Sequence, residues 1–289
     1  MARRRPPTVH GLVVVDKPAG VTSHDVVNVL RRRLGERRIG HAGTLDPDAT
    51  GVLLVGVGKV TRLLRFLTAL GKCYEAEVVF GTTTSTLDDS GEVTGTFAMD
   101  LDPVAVHTAA ERLTGEIMQI PPMVSALKVD GRRLHELARE GIEVERTPRP
   151  VTVHSLAVEP TADPLVYSMH VHCSSGTYVR SLAADLGELL GGGAHLRALR
   201  RTSVGSFTVD EAAPPEQAEL HPPTFAVRDY ATLAVDAEEA ARVGHGRSLV
   251  SAGPGDGPWA VVDEEGELLA MYESDGAGGA KPAVVLSTD

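Results

Sequence analysis

The chain has 289 residues, 42% hydrophobic and 23% charged, a composition that supports one large domain or one large and one small and excludes global disorder. Aromatics make up only 4%, so aliphatic side chains must fill the core, and the two distant cysteines, Cys73 and Cys173, exclude a disulfide scaffold or zinc ribbon and point to a reducing cytoplasm. The net charge of −11 argues at first against a nucleic-acid partner, and no apolar run approaches the roughly 20 residues that span a bilayer.

Gly11–Asp16 reads as a buried strand. Ser23 is placed to cap a helix running through Val26, Val27 and Leu30 to Leu34 and closed by Gly35. Residues 35–51 lack periodicity and read as a long loop, followed by an apolar run at Val52–Val57 and helical spacing over Val60–Leu70. Lys72–Phe80 alternates as a strand, and Asp102-Pro103 opens a helix. Asp130-Gly131 marks a tight hairpin turn, with a short helix Leu134–Glu140 ending at Gly141. Leu165–Cys173 reads as a strand and Thr177–Leu190 as an amphipathic helix. The irregular order of strands and helices predicts α+β with a mixed, largely antiparallel sheet. Residues 211–224 carry four prolines and read as a linker closing a first domain, 1–225. Residues 226–289 then form a small β-rich domain with strands at Trp259–Val262, Leu268–Met271 and Ala283–Leu286.

The acid is concentrated at one end. Residues 210–289 hold sixteen acidic and four basic side chains, whereas residues 1–40 hold nine basic and three acidic. The clusters Arg3–Arg5, Arg31–Arg33, Arg37 with Arg38, and Arg200 with Arg201 can therefore meet phosphates. Several familiar motifs fail. Gly58-Lys59 lacks the rest of a phosphate-binding loop, His135-Glu136 lacks the second histidine of a zinc protease helix, and no G-x-S-x-G elbow occurs. The eleven histidines show no metal-ligand spacing and read as mostly surface residues. What remains is the stretch Gly40–Gly51, where Asp46 sits among glycines. Its carboxylate is placed to serve as nucleophile, base or metal ligand, or to close an Asp-Pro turn on its own backbone.

This stretch resembles the active-site motif of the pseudouridine synthases, specifically the bacterial tRNA pseudouridine-55 synthases of the TruB family. The pattern G-H-x-G-x-L-D-P-x-A-x-G is met at Gly40, His41, Gly43, Leu45, Asp46, Pro47, Ala49 and Gly51. Four further blocks agree in order: Asp16-Lys17-Pro18 through Ser23, Lys72–Ala76, Gln119–Pro122 with Ser125–Lys128, and Gly176-Thr177-Tyr178-Val179-Arg180. The likeness spans residues 11–209. One departure is His135, where members of the family often carry tyrosine.

The resemblance implies a pseudouridine-synthase catalytic domain followed by a PUA-like C-terminal domain. It implies isomerisation of uridine 55 in the T-loop of tRNA on a base flipped out of its stack, with no cofactor and no metal. By the same resemblance Asp46 is the catalytic carboxylate, Arg180 its partner, and Tyr74 the ring that stacks on the target base. Tyr178 and Leu199 line the uracil pocket, and His41 helps keep the extruded nucleotides out of the stack. Lys17 and Pro18 shape the neighbouring loop. The expected partner is the T-arm of tRNA, engaged by a cytoplasmic monomer. A synthase acting on another RNA, or an RNA-folding protein, remains compatible with the residues alone.

Overall fold

The first apolar run forms the strand Gly11–Lys17, buried along nearly its whole length. The helix that follows, Ser23–Leu34, buries Val26, Val27 and Leu30 and ends at Gly35, whose φ of 62° suits a residue without Cβ. Its cap is Thr22, one residue earlier than expected. Thr22 Oγ1 accepts from Asp25 N at 3.1 Å and the Asp25 carboxylate accepts from Thr22 N at 2.9 Å, a reciprocal box. Ser23 is buried and turned to another task, described below.

The computed structural model describes residues 6–125, 127–129, 131–142, 144–250 and 253–286, with only the backbone of 128, 129, 133, 135, 138 and 139. Arg3–Arg5, Asp130 of the expected turn and the His135 side chain lie outside this description. The chain divides into two compact units. One comprises the described residues up to Pro47, Val52–Ala69, and those from Gly205 onward; the other comprises Asp48–Gly51 and Leu70–Val204.

In the first unit the sheet runs in the order Leu220–His221, Gly11–Lys17, Thr50–Val57, Ile39–Ala42. Val13, Val15, Leu53, Val55 and Val57 from these strands pack with Val26, Val27 and Leu30 of the helix into one aliphatic core. Part of the expected loop 35–51 is thus a strand. Ile39–Ala42 pairs antiparallel with Leu54–Val57, a pairing its Gly-His centre does not advertise. The expected helix Val60–Leu70 is a 3-10 turn over Gly58–Leu63 followed by an α-helix over Leu64–Ala69.

Residues 211–224 do not run free as a linker. Asp16 N donates to Ala213 O at 2.9 Å, Leu220 and His221 pair with Val13 and Leu12, and Ala218 lies in the aliphatic core. Arg33 donates to Pro215 O at 2.8 Å and to Ala218 O. Prolines lose a donor but keep an acceptor, so this segment is held through its carbonyls. Arg31 is likewise committed, to Asn28 Oδ1 and Ile39 O.

The C-terminal strands Ala231–Ala234, Trp259–Val262, Leu268–Ser274 and Ala280–Val285 form a separate sheet in that order, its first pair parallel and the others antiparallel. The last strand begins three residues earlier than expected because Ala280 pairs with Ser274. Trp259 and Tyr272 anchor a small core, and Trp259 Nε1 donates to Pro254 O at 2.8 Å.

The second unit is a sheet in the order Ala194–Val204, Lys72–Phe80, Val166–Cys173, Arg149–Pro160, Gly115–Gln119, every neighbour antiparallel. Thr50 and Gly51 pair in parallel with Arg200 and Arg201, so the sheet is mixed as expected. The helix Val179–Leu189 packs on Ala194–Val204, and Pro103–Arg112, capped by Asp102, packs on Arg149–Pro160. The first of these helices is shorter than expected because Tyr178, at its cap, stays extended and the helix begins only at Val179.

Candidate functional site

Asp46 lies in the connection between the strands Ile39–Ala42 and Thr50–Val57. Leu45 and Ala49 are each 4% exposed and pin this connection at two points, leaving Asp46 half-buried between them. The residue before Asp46 is held by Ser23. Its Oγ accepts from Leu45 N at 3.0 Å and donates to Leu45 O at 3.2 Å. The residue after Asp46 is held by Lys17. This ammonium, fully buried, donates to Pro47 O at 2.8 Å, to Val21 O at 2.7 Å and to Pro18 O at 2.8 Å. Gly20 N adds a fourth bond, to Pro47 O at 3.0 Å. The backbone on both sides of Asp46 is therefore fixed, which aims its carboxylate. Lys17 serves here as a clamp, in keeping with the loop-shaping role expected of it. His41 lies in the strand Ile39–Ala42 that leads into this connection, paired across the hairpin with Val55.

The chain enters the second unit at Asp48. Gly51 has φ of 101°, and a Cβ there would lie 2.1 Å from Arg201 O. Only glycine permits this approach of Thr50–Gly51 to the strand Ala194–Val204.

In the second unit Tyr74, 9% exposed, stands opposite Arg201, and Ala76 stands opposite Leu199. Residues in direct register share a face, as do alternate residues of one strand, so Tyr74, Leu199 and Arg201 project on the same side. Arg201 is 1% exposed, which corrects its expected phosphate contact: the register turns it onto the covered face. Arg200 is half-buried and donates to Thr50 Oγ1 at 3.3 Å. Lys72 shares the face of Tyr74. Burial, aided by the neighbouring Arg201 cation, lowers its pKa to about 8. Burial also pushes the Cys173 thiol up to about 11.

Tyr178 and Arg180 occupy the start of the helix Val179–Leu189. Tyr178 caps it without a side-chain bond. The Gln119 amide instead serves both backbone groups of Tyr178, accepting from its N–H at 2.7 Å and donating to its carbonyl at 3.0 Å. Arg180 is 5% exposed. Its guanidinium donates to Thr86 O at 2.7 Å and Val124 O at 2.8 Å, and lies 3.2 Å from Asp88 Oδ2. Several acceptors thus fix its plane.

Asp88 and Gln119 are the site residues that sequence reasoning leaves out. Asp88 belongs to a polar run, Thr82–Gly91, with no motif; Gln119 belongs to a recognised block but carries no chemistry of its own. Two groups of the expected residues emerge within the second unit, Tyr74 with Leu199 and Tyr178 with Arg180. His41 and Asp46 form a third, in the first unit. Among the described residues no three metal-ligating side chains converge.

Comparison with known proteins gives a consistent picture. The TruB family pseudouridylate synthase N-terminal domain matches residues 31–179. The tRNA pseudouridylate synthase B C-terminal domain matches 180–220, and the tRNA pseudouridine synthase II C-terminal domain matches 230–287. The tRNA pseudouridine synthase B of Corynebacterium aurimucosum is 48% identical over 92% of this chain and 93% of its own length. That of Thermobifida fusca is 46% identical over 96% and 98%. Among solved structures, a chain of a Cbf5-Nop10-Gar1 complex superposes with a TM-score of 0.74 at 25% identity, covering 96% of this chain and 85% of that one. With the family model covering more than half of its length and relatives near half identity across nearly all of it, the chain belongs to the TruB family of pseudouridylate synthases.

Proposed function

We propose that this protein converts uridine 55 in the T-arm of tRNA to pseudouridine, with Asp46 as the catalytic carboxylate. The N1–C1′ bond of the nucleoside breaks and a C5–C1′ bond forms. The proton leaving C5 is balanced by one gained at N1, so the reaction is an isomerisation and needs no redox partner. The observation that carries the reading is the seating of Asp46, whose neighbours Leu45 and Pro47 are both clamped through their backbones while the carboxylate itself is left half-buried. Such preorganisation suits a group that must meet a sugar or base in one orientation.

In the same reading Arg180 assists the reaction, Tyr74 stacks on the flipped base, Tyr178 and Leu199 line the uracil, and His41 fills space near the extruded nucleotides. The shared face of Tyr74 and Leu199 and the rigid guanidinium of Arg180 support these roles. The protein works as a monomer. Residues 226–289 act as a PUA-like module that adds grip on the tRNA, while residues 1–225 carry the chemistry.

The test is single-turnover conversion of an unmodified tRNA transcript with pseudouridine mapped along the RNA. Product at position 55 is expected. Asp46→Asn, which keeps the shape and removes the charge, should abolish it while tRNA affinity stays within about tenfold. Product at another position, or activity retained by Asp46→Asn with deamidation excluded by mass spectrometry, refutes the assignment.

A further inference from the structure

His195 is nearly buried, at 6% exposure, on the strand Ala194–Val204, and both of its ring nitrogens face acceptors. Nδ1 lies 2.9 Å from Thr82 O, and Nε2 lies 2.8 Å from Asp89 Oδ1. A carbonyl and a carboxylate have no proton to give, and a neutral imidazole has a single N–H. Either neutral tautomer leaves one nitrogen lone pair against an oxygen lone pair. The imidazolium alone satisfies both contacts.

The partner, Asp89, adjoins Asp88, whose carboxylate stands beside Arg180. The turn holding both is strained: Leu87 has φ of 63°, the one positive value among described non-glycine residues. It is docked on the same strand that carries His195, with Leu196 N donating to Leu87 O at 3.1 Å and Asp89 N to Leu196 O at 3.0 Å. His195 thus supplies the side-chain half of a seat whose backbone half is Leu196. Other charges nearby are Arg197, 2.8 Å from Glu77 on the strand Lys72–Phe80, and Asp163, which with Asp89 stabilises the Arg197 cation.

We propose that His195 is a positioning residue for the isomerisation: as an imidazolium it seats the Leu87–Asp89 turn and so holds Asp88 against Arg180, and its deprotonation loosens that seat and slows turnover. The inference rests on the functional reading above, in which Arg180 serves the reaction. It differs from a purely structural role in making turnover fall as the imidazole loses its proton, by about three- to tenfold, the difference between a charge-assisted and a neutral hydrogen bond.

The experiment follows single-turnover pseudouridine formation from pH 5.5 to 8.5 in the full-length protein, with imidazole 15N shifts and amide exchange at Leu87–Asp89 recorded over the same range. Three proteins are compared: the parent, His195→Gln and Asp89→Asn. The parent should show a falling limb that tracks the His195 titration, with exchange at the turn speeding up along it. His195→Gln, without a titrating ring, should be slower at low pH and lack the limb. Asp89→Asn is the sharper variant, because its amide donates to a neutral ring and satisfies the seat without the proton. It should keep the parent's low-pH rate and hold it to pH 8.5. Transfer RNA affinity should be unchanged in both variants.

A limb that persists in both variants overturns the proposal, as does a ring that titrates without change in exchange at the turn. If the seat titrates as described but no protein makes pseudouridine at any pH, the functional reading falls and the seat stands. If the parent is active without a limb, the link from seat to Arg180 falls alone.

Discussion

Two turns in this molecule each present an acidic residue, and they are held in opposite ways. The connection around Asp46 is fixed by side chains from elsewhere in the sequence, Lys17 and Ser23, acting on the backbone of its neighbours. The turn around Asp88 is fixed largely from within: Thr84 Oγ1 donates to Asp88 O at 2.7 Å, Thr86 Oγ1 to Asp88 Oδ1 at 2.6 Å, and Ser90 N and Oγ both to Asp88 Oδ1. A clamp from outside acts on the backbone of the neighbouring residues. A self-bonded turn is built on the carboxylate itself. The first arrangement suits a reacting group, the second a group that must stay where it is. The contrast also sets how each turn should fail, since one substitution in a remote clamp removes several bonds at once, whereas internal bonds back one another up.

Lys17→Met should show the largest effect. It removes a fully buried ammonium that three carbonyls share, leaving Pro47 O only its bond from Gly20 N, and should lower stability by about 3 kcal/mol or more, read from urea midpoints at unchanged slope. Pseudouridine formation should slow by about a hundredfold as Asp46 loses its aim. Ser23→Ala removes two bonds to Leu45 and should cost about 1–2 kcal/mol, with a smaller fall in turnover at constant tRNA affinity. Thr86→Val should be the mildest, under about 1 kcal/mol, because Asp88 Oδ1 retains Ser90 N and Oγ. If Thr86→Val proves costlier than Ser23→Ala in both stability and rate, the division into remotely and internally held turns is broken. A combined Thr86→Val and Ser90→Ala variant sharpens it: the pair should lose more than the sum of its members, the signature of bonds that substitute for one another.

The same contrast explains what could be read in advance. Elements specified by neighbouring residues were legible: the apolar run of Gly11–Lys17, the alternation of Lys72–Phe80, the Asp102-Pro103 helix start, and the hairpin at Gly131. Where a distant partner decides, local signals mislead. Thr22 and Ser23 both have the chemistry of a cap, and the choice falls on Thr22 because Ser23 is needed inside, on Leu45. Ile39–Ala42 is a strand through its partner in the hairpin, and the prolines of 211–224 suggest a linker because proline advertises what it cannot donate rather than what it can accept. The candidate site residues came from the family pattern around Asp46, Tyr74 and Arg180. How they are supported did not, since neither the Asp88 turn nor the Gln119 bridge to Tyr178 leaves a periodic or motif trace.

The strand Gly11–Lys17 takes an edge partner, Leu220–His221, that lies about 200 residues further along the chain. During translation at roughly 5–20 residues per second, that partner leaves the ribosome about ten to forty seconds after the strand it completes. For that interval one of the most apolar segments of the nascent protein has an open hydrogen-bonding edge, a surface that invites pairing with other chains. A premature stop anywhere before residue 213 would make the exposure permanent. Such fragments should be aggregation-prone clients of chaperones and proteases even when every residue of the Asp46 loop has been made.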